Sequence, residues 1–94
     1  MFLSYEQVDV DKHVKGAGDL TIPANATKVC LQAGSGSVRY TMDLSKPSHS
    51  VGMVLHAGLA PEEFLLEDLR RIRFTKGSAE NTTLGVHYSA GRDI

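Results

Sequence analysis

Asp9, Asp11 and His13 alternate with Val10 and Lys12 near the start of the chain. On an extended backbone, alternate residues point to one side, about 6–7 Å apart. Two carboxylates and an imidazole suit a divalent cation, so this trio is the metal-ligand alternative that the sequence offers. The plainer reading is a solvated edge strand whose charges deter pairing with another chain; it is the stronger, because three such residues at strand spacing arise readily by chance. His49, His56 and His87 are scattered, and no His-x-His pair exists, so a β-barrel metal centre is not expected. Covalent catalysis needs a nucleophile beside a base and an oxyanion hole. Cys30 lies between Val29 and Leu31 and reads as a small packing residue. Ser35, in Gly34-Ser35-Gly36, has neither a Gly-x-Ser-x-Gly elbow nor the lysine and helix of a phosphate loop.

Arg70, Arg71 and Arg73 form the one basic concentration, with Arg39 and Arg92 as possible neighbours. Arginines can hold phosphate or an acidic partner. Glu62, Glu63, Glu67 and Asp68 stand just upstream, so pairing within the chain is the first expectation, and exposed pairs of that kind add little stability.

These residues depend on strands for their positions. Val38, Tyr40 and Met42 alternate with Arg39 and Thr41; Val51, Met53 and Leu55 alternate with Gly52, Val54 and His56. Between them, Asp43 to Ser50 is rich in turn formers around Pro47. Lys28 to Ala33 is a further strand with Val29, Leu31 and Ala33 inward, and the glycine-rich residues 34–36 predict a hairpin from it into 37–42. Leu84, Val86 and Tyr88 mark the inner face of a last strand, 83–89. At the other end, Met1 to Val10 is a first strand with Tyr5, Val8 and Val10 imperfectly phased, residues 16–19 are a turn, and Leu20-Thr21-Ile22 is a short strand stopped by Pro23. Residues 61–73 admit two readings. As a helix, Pro61 starts it, acids precede arginines, and Leu65, Leu69 and Ile72 share a face. As strands, residues 64–66 form an edge, Glu67-Asp68 turns, and Ile72 and Phe74 point inward. The β surroundings favour strands. The fold class is all-β: a small antiparallel β-sandwich or jelly-roll-like barrel of about 7–8 short strands. Residues 1–94 form one domain, with 1–18 an extended arm or edge strand.

The chain has 94 residues, a 41% hydrophobic fraction and a formal charge of −1. One domain of this size buries only roughly 60–65% of its unfolded surface, so association with a partner adds usefully to its stability. Near-zero net charge argues against a general polyanion binder, so no nucleic-acid specificity is expected. The single cysteine excludes an intrachain disulfide and suits a reducing compartment. No run of about 18 apolar residues is present, so no membrane helix is expected, and the first ten residues lack the basic flank of a signal peptide. The Asn25 and Asn81 sequons carry no meaning without secretion.

In Val38-Arg39-Tyr40, Ser50-Val51-Gly52-Met53, Ala57-Gly58, Ile72-Arg73-Phe74 and Leu84-Gly85-Val86-His87-Tyr88, the chain resembles small structural proteins of tailed bacteriophages and prophages. There a Val-Arg-Tyr strand leads into an Asp-Gly-Thr-x-Pro-Thr turn; here the turn is Asp43-Leu44-Ser45-Lys46-Pro47-Ser48, without the glycine. The likeness covers residues 20–92. It implies a virion component (head decoration, head–tail connection or tail) that is not an enzyme, needs no cofactor and passes through the bacterial cytoplasm during assembly. Its expected partners are copies of itself, in a trimer or larger ring, and other virion proteins. The expected contact residues are Asp43, Lys46, Pro47, His49, Arg71, Arg73 and Tyr88, with the 43–50 and 76–82 loops and the segment up to His13. The alternative from another class is a small ligand- or metal-binding β module built on Asp9, Asp11 and His13.

Overall fold

Alternating apolar residues need a second apolar face to bury them, and in this protein two sheets supply each other's. The computed structural model describes residues 2–48, 50–58 and 60–90. The first sheet contains β1 (Phe2–Val10), β3 (Lys28–Ala33), β6 (Glu62–Leu65) and β8 (Thr82–Ser89), in the order β1-β8-β3-β6. The second contains β2 (Lys15–Gly16), β4 (Ser37–Thr41), β5 (Met53–His56) and β7 (Arg73–Lys76), in the order β2-β7-β4-β5. All the pairings are antiparallel, and the result is a small all-β sandwich.

The core follows the period of two. Val29, Leu31 and Ala33 of β3 and Leu84, Val86 and Tyr88 of β8 face Val38 and Tyr40 of β4, Leu55 of β5 and Phe74 of β7. Tyr40 meets Phe64 edge to face across the two sheets, centroids 5.6 Å apart. Truncating Phe74 or Leu31 to alanine in such a core costs about 3–5 kcal/mol.

The predicted hairpin between β3 and β4 does not form. The two strands exist at the expected residues, but β3 pairs with β6 and β8, whereas β4 pairs with β5 and β7. The connection is a crossing between sheets. Gly34 N–H donates to the Thr83 carbonyl and Ser35 N–H to Thr82 Oγ1, which ties the first half of the loop to β8. Gly36, at φ +58°, then turns the chain into the second sheet. Alternation specifies a buried face; it does not specify the neighbour.

Residues 61–73 combine both predicted readings. Pairing with β3 holds 62–65 extended, and a single helical turn, α1 (Leu66–Leu69), follows. Leu66, Leu69 and Ile72 are all buried at this end of the sandwich. Leu20-Thr21-Ile22, expected as a strand, is irregular and follows a 3-10 turn over Ala17–Asp19. The last strand, 82–89, matches its expected inner face. Residues 2–10 form an integral edge strand, paired with β8 from Phe2 opposite Ser89 to Val10 opposite Thr82.

Candidate assembly surfaces

The sheet edge at the start of the chain fixes where Asp9, Asp11 and His13 lie. β1 ends at Val10, so only Asp9 keeps a strand position. The Asp11 carboxylate accepts the His13 N–H at 2.8 Å, which closes a turn and holds the Asp11 carboxyl below its ordinary value. The Asp11 carbonyl takes the Lys76 N–H and the Thr75 hydroxyl, anchoring this turn to β7. Asp9 and Asp11 border one open depression of about 530 Å³ with Asn81 and Thr83, but His13 does not line it. The extended trio of one face is therefore corrected to two acids and a separate histidine. Among the described residues, no three His, Cys, Asp or Glu side chains gather as a metal-ligand set.

The 43–51 segment folds back over the second sheet. Asp43 accepts the Ser45 N–H, and the Ser45 hydroxyl first, with this backbone contact second, holds the Asp43 carboxyl below its ordinary value. Leu44 N–H donates to the Arg71 carbonyl. Leu44 itself sits at φ +69°, in the left-handed region that disfavours a side chain with a Cβ. Gly52, at φ +119°, lets the segment return, and a Cβ there would lie 3.0 Å from the Tyr40 carbonyl. Arg39 reaches under the return and donates to the Gly52 carbonyl at 2.8 Å.

This path sorts the expected contact residues. Asp43 and Lys46 are exposed, Arg71 and Arg73 likewise. Pro47 is fully buried, so it is a packing residue of the loop and not a contact. Tyr88 is also corrected: it is 0% exposed, and its hydroxyl donates to Glu6 Oε2 inside the fold. His49 and Arg92 lie outside the described residues. Arg71 and Arg73 lie on different elements. Arg71 is in the turn after α1, 3.7 Å from Asp68, and Arg73 opens β7.

What the residue pattern did not reveal is the amount of apolar surface left outside. Leu44 (54% exposed) and Val51 lie on the loop, and Met53 (66% exposed) begins β5, although alternation had placed Val51 and Met53 inward. The strand starts only at Met53, after Ser48 and Val51 bridge to each other. On the outer face of the first sheet, Phe2 (72% exposed) stacks on His87 with centroids 4.6 Å apart, and Tyr5 meets the same ring edge-on at 5.1 Å. Tyr5 crosses Gly85, where a Cβ would come within 2.9 Å of its hydroxyl. The imperfect phase of Tyr5 with Val8 and Val10 was the available signal for this outward cluster.

Cys30 shares the outer row with His87, its cross-strand neighbour, and with Glu63. Its thiol donates to Glu63 Oε2 at 3.9 Å. Burial first, and the Glu63 charge second, push the thiol above its ordinary value. A thiol held protonated is a poor nucleophile, so the arrangement packs the sheet and does not activate sulfur.

No family model matches the chain, and no curated protein or solved structure matches it either.

Proposed function

We propose that this protein is a non-enzymatic structural component of a tailed phage or prophage particle, working by protein–protein assembly in head decoration, head–tail connection or the tail. Its partners are further copies of itself, in a trimer or larger ring, and other particle proteins. The observation that carries the assembly reading is the apolar surface outside the core: Phe2 and Tyr5 on one sheet face, and Leu44, Val51 and Met53 along the loop into β5. Large exposed apolar side chains grouped on a small domain gain by being covered. The strained Leu44 adds to this, because backbone outliers concentrate where a segment does more than connect. The particle assignment draws on the likeness of the Val38-Arg39-Tyr40, Val51-Gly52-Met53 and Ile72-Arg73-Phe74 strands to the phage structural proteins. The test is absolute mass by light scattering behind a sizing column, over a concentration series, with and without EDTA. A discrete oligomer unchanged by EDTA is expected. A monomer at every concentration refutes self-assembly, and a mass that EDTA alters returns the argument to Asp9 and Asp11.

A further inference from the structure

The near-neutral chain hides a separation of charge. Two neighbouring depressions, of about 350 and 240 Å³, share Val14. Lys15, Arg70 and Arg73 line one; Lys12, Lys46 and Lys76 line the other. Among the described residues neither is lined by an acid, and the Asp11 carboxyl beside them feels the charges of Lys12 and Lys15. Lys15 and Lys76 are tied to the Asp9 and Ala79 carbonyls. The side chains of Lys12, Lys46, Arg70 and Arg73 make no hydrogen bond or ion pair with a described residue. Six of the chain's ten lysines and arginines thus border this one region. Asp19 and Asp43, both exposed, flank this lining beside Gly18 and Leu44, whereas three exposed acids stand close together in sequence away from it: Glu62 and Glu63 on β6, and Glu67 on α1. β6 is the edge of the first sheet opposite β1, the strand that leads directly into Lys12 and Lys15. The topology therefore sets β6 and the 12–15 segment at different borders of the sandwich, and the two surfaces adjoin at Arg70, which also lines a depression with Glu67.

We infer that the acidic β6–α1 edge of one copy seats on the cationic region of the next, as a head-to-tail contact. The inference rests on the assembly reading and gives it a geometry. Two different patches meeting make a heterologous contact, which closes into a ring when the rotation allows and otherwise extends as a filament. Charge complementarity names the occupant, since the chain itself carries the matching acids. A single nucleic-acid strand fits less well, because no aromatic side chain among the described residues lines either depression to stack on bases. Lys46 and Arg73, nominated as contacts by the sequence, fall in this region, and Leu44 borders it.

The test uses two doubly substituted chains, Lys12→Glu with Lys46→Glu and Glu62→Lys with Glu67→Lys, all at exposed positions. Each reversal sets like charges against each other and weakens association roughly 100-fold, so each variant alone sediments as a monomer. In an equimolar mixture the two variants associate by alternating, because each contact between them is either native or charge-swapped. The mixture regains the wild-type mass where the wild-type assembly has an even number of copies, and gives at least the mixed dimer where it is a trimer or other odd ring. Wild-type assembly also weakens between about 0.1 M and 1 M salt as screening shortens. If the wild type assembles but neither variant changes its mass, the charge contact is refuted and the assembly reading stands. If the variants dissociate and the mixture stays monomeric, with no mixed dimer, the pairing of these two surfaces is refuted. A wild type that is monomeric throughout refutes both, and one that is monomeric but binds a DNA duplex through Lys12 and Lys46 assigns the region to nucleic acid instead.

Discussion

Tyr88→Phe isolates one contact and separates two roles for that residue. The Tyr88 ring is fully buried, and its hydroxyl donates to Glu6 Oε2, a carboxylate 82 positions away that also accepts the Thr21 N–H at 2.7 Å. Phenylalanine keeps the ring and removes only the donor. A hydrogen bond to a charged acceptor contributes roughly 1.5–3 kcal/mol. Glu6 is only half-buried, so water takes up part of the loss and the expected cost is near the lower end, about 1–2 kcal/mol. In a domain of this length that corresponds to a fall in Tm of about 4–16 °C. Urea denaturation of Tyr88→Phe, Glu6→Ala and the double variant measures it, with a coupling of about 1 kcal/mol expected between the two positions. The assembled mass should not change, because the residue faces the core. A loss below about 0.3 kcal/mol, or a coupling of zero, refutes the bond as a structural tie. A changed mass at unchanged stability refutes its placement in the core.

Three further outcomes follow from the backbone and the tyrosines. Leu44→Gly should stabilise the protein by about 0.5–1 kcal/mol in urea denaturation, because relief of the left-handed strain outweighs the entropy glycine adds to the unfolded chain; a destabilised variant refutes that balance. Gly52→Ala should cost about 2 kcal/mol, combining φ +119° with the approach to the Tyr40 carbonyl, and a melting temperature equal to wild type contradicts the geometry. Burial pushes the hydroxyls of Tyr40 and Tyr88 up, with the Glu62 charge second for Tyr40 and Glu6 second for Tyr88. A raised folded value means that this stability is present in full below the unfolded value of about 10 and is lost as pH rises above it. In a Tyr5→Phe background, tyrosinate absorbance should therefore rise together with the loss of the β circular-dichroism signal; tyrosinate that forms while the fold persists contradicts the burial of both rings.

The sequence carried the inward faces of β3, β4 and β8 because each is decided by local alternation: Val29-x-Leu31-x-Ala33, Val38-x-Tyr40 and Leu84-x-Val86-x-Tyr88 all lie inward as read. It did not carry the pairing, since a chain leaving β3 through Gly34-Ser35-Gly36 can fold back beside it or cross to the facing sheet with the same inner residues. The choice is made by Thr82 and Thr83, nearly fifty positions later, which hold the loop by hydrogen bonds. The same limit governs the candidate surfaces. Pro47 and Tyr88 carry features that suggest contact residues, a turn former and an aromatic ring, yet both are buried, one beneath its own loop and one against Glu6. Val51 and Met53 share the parity of buried Leu55 and are exposed: Val51 lies before the strand, and Met53, its first residue, is paired with Tyr40 yet 66% exposed. Exposure in a sandwich this small depends on where each strand starts and stops, and bonds such as the Ser48–Val51 bridge before β5 are ones that no periodicity records. The separated charges are the complementary case: every lysine, arginine and glutamate was visible in the sequence, but their opposition across the fold exists only once β6 and β1 take opposite edges of one sheet. A function that depends on how whole surfaces face one another is written in topology more than in motif, and the paired charge-reversal variants test it at that level.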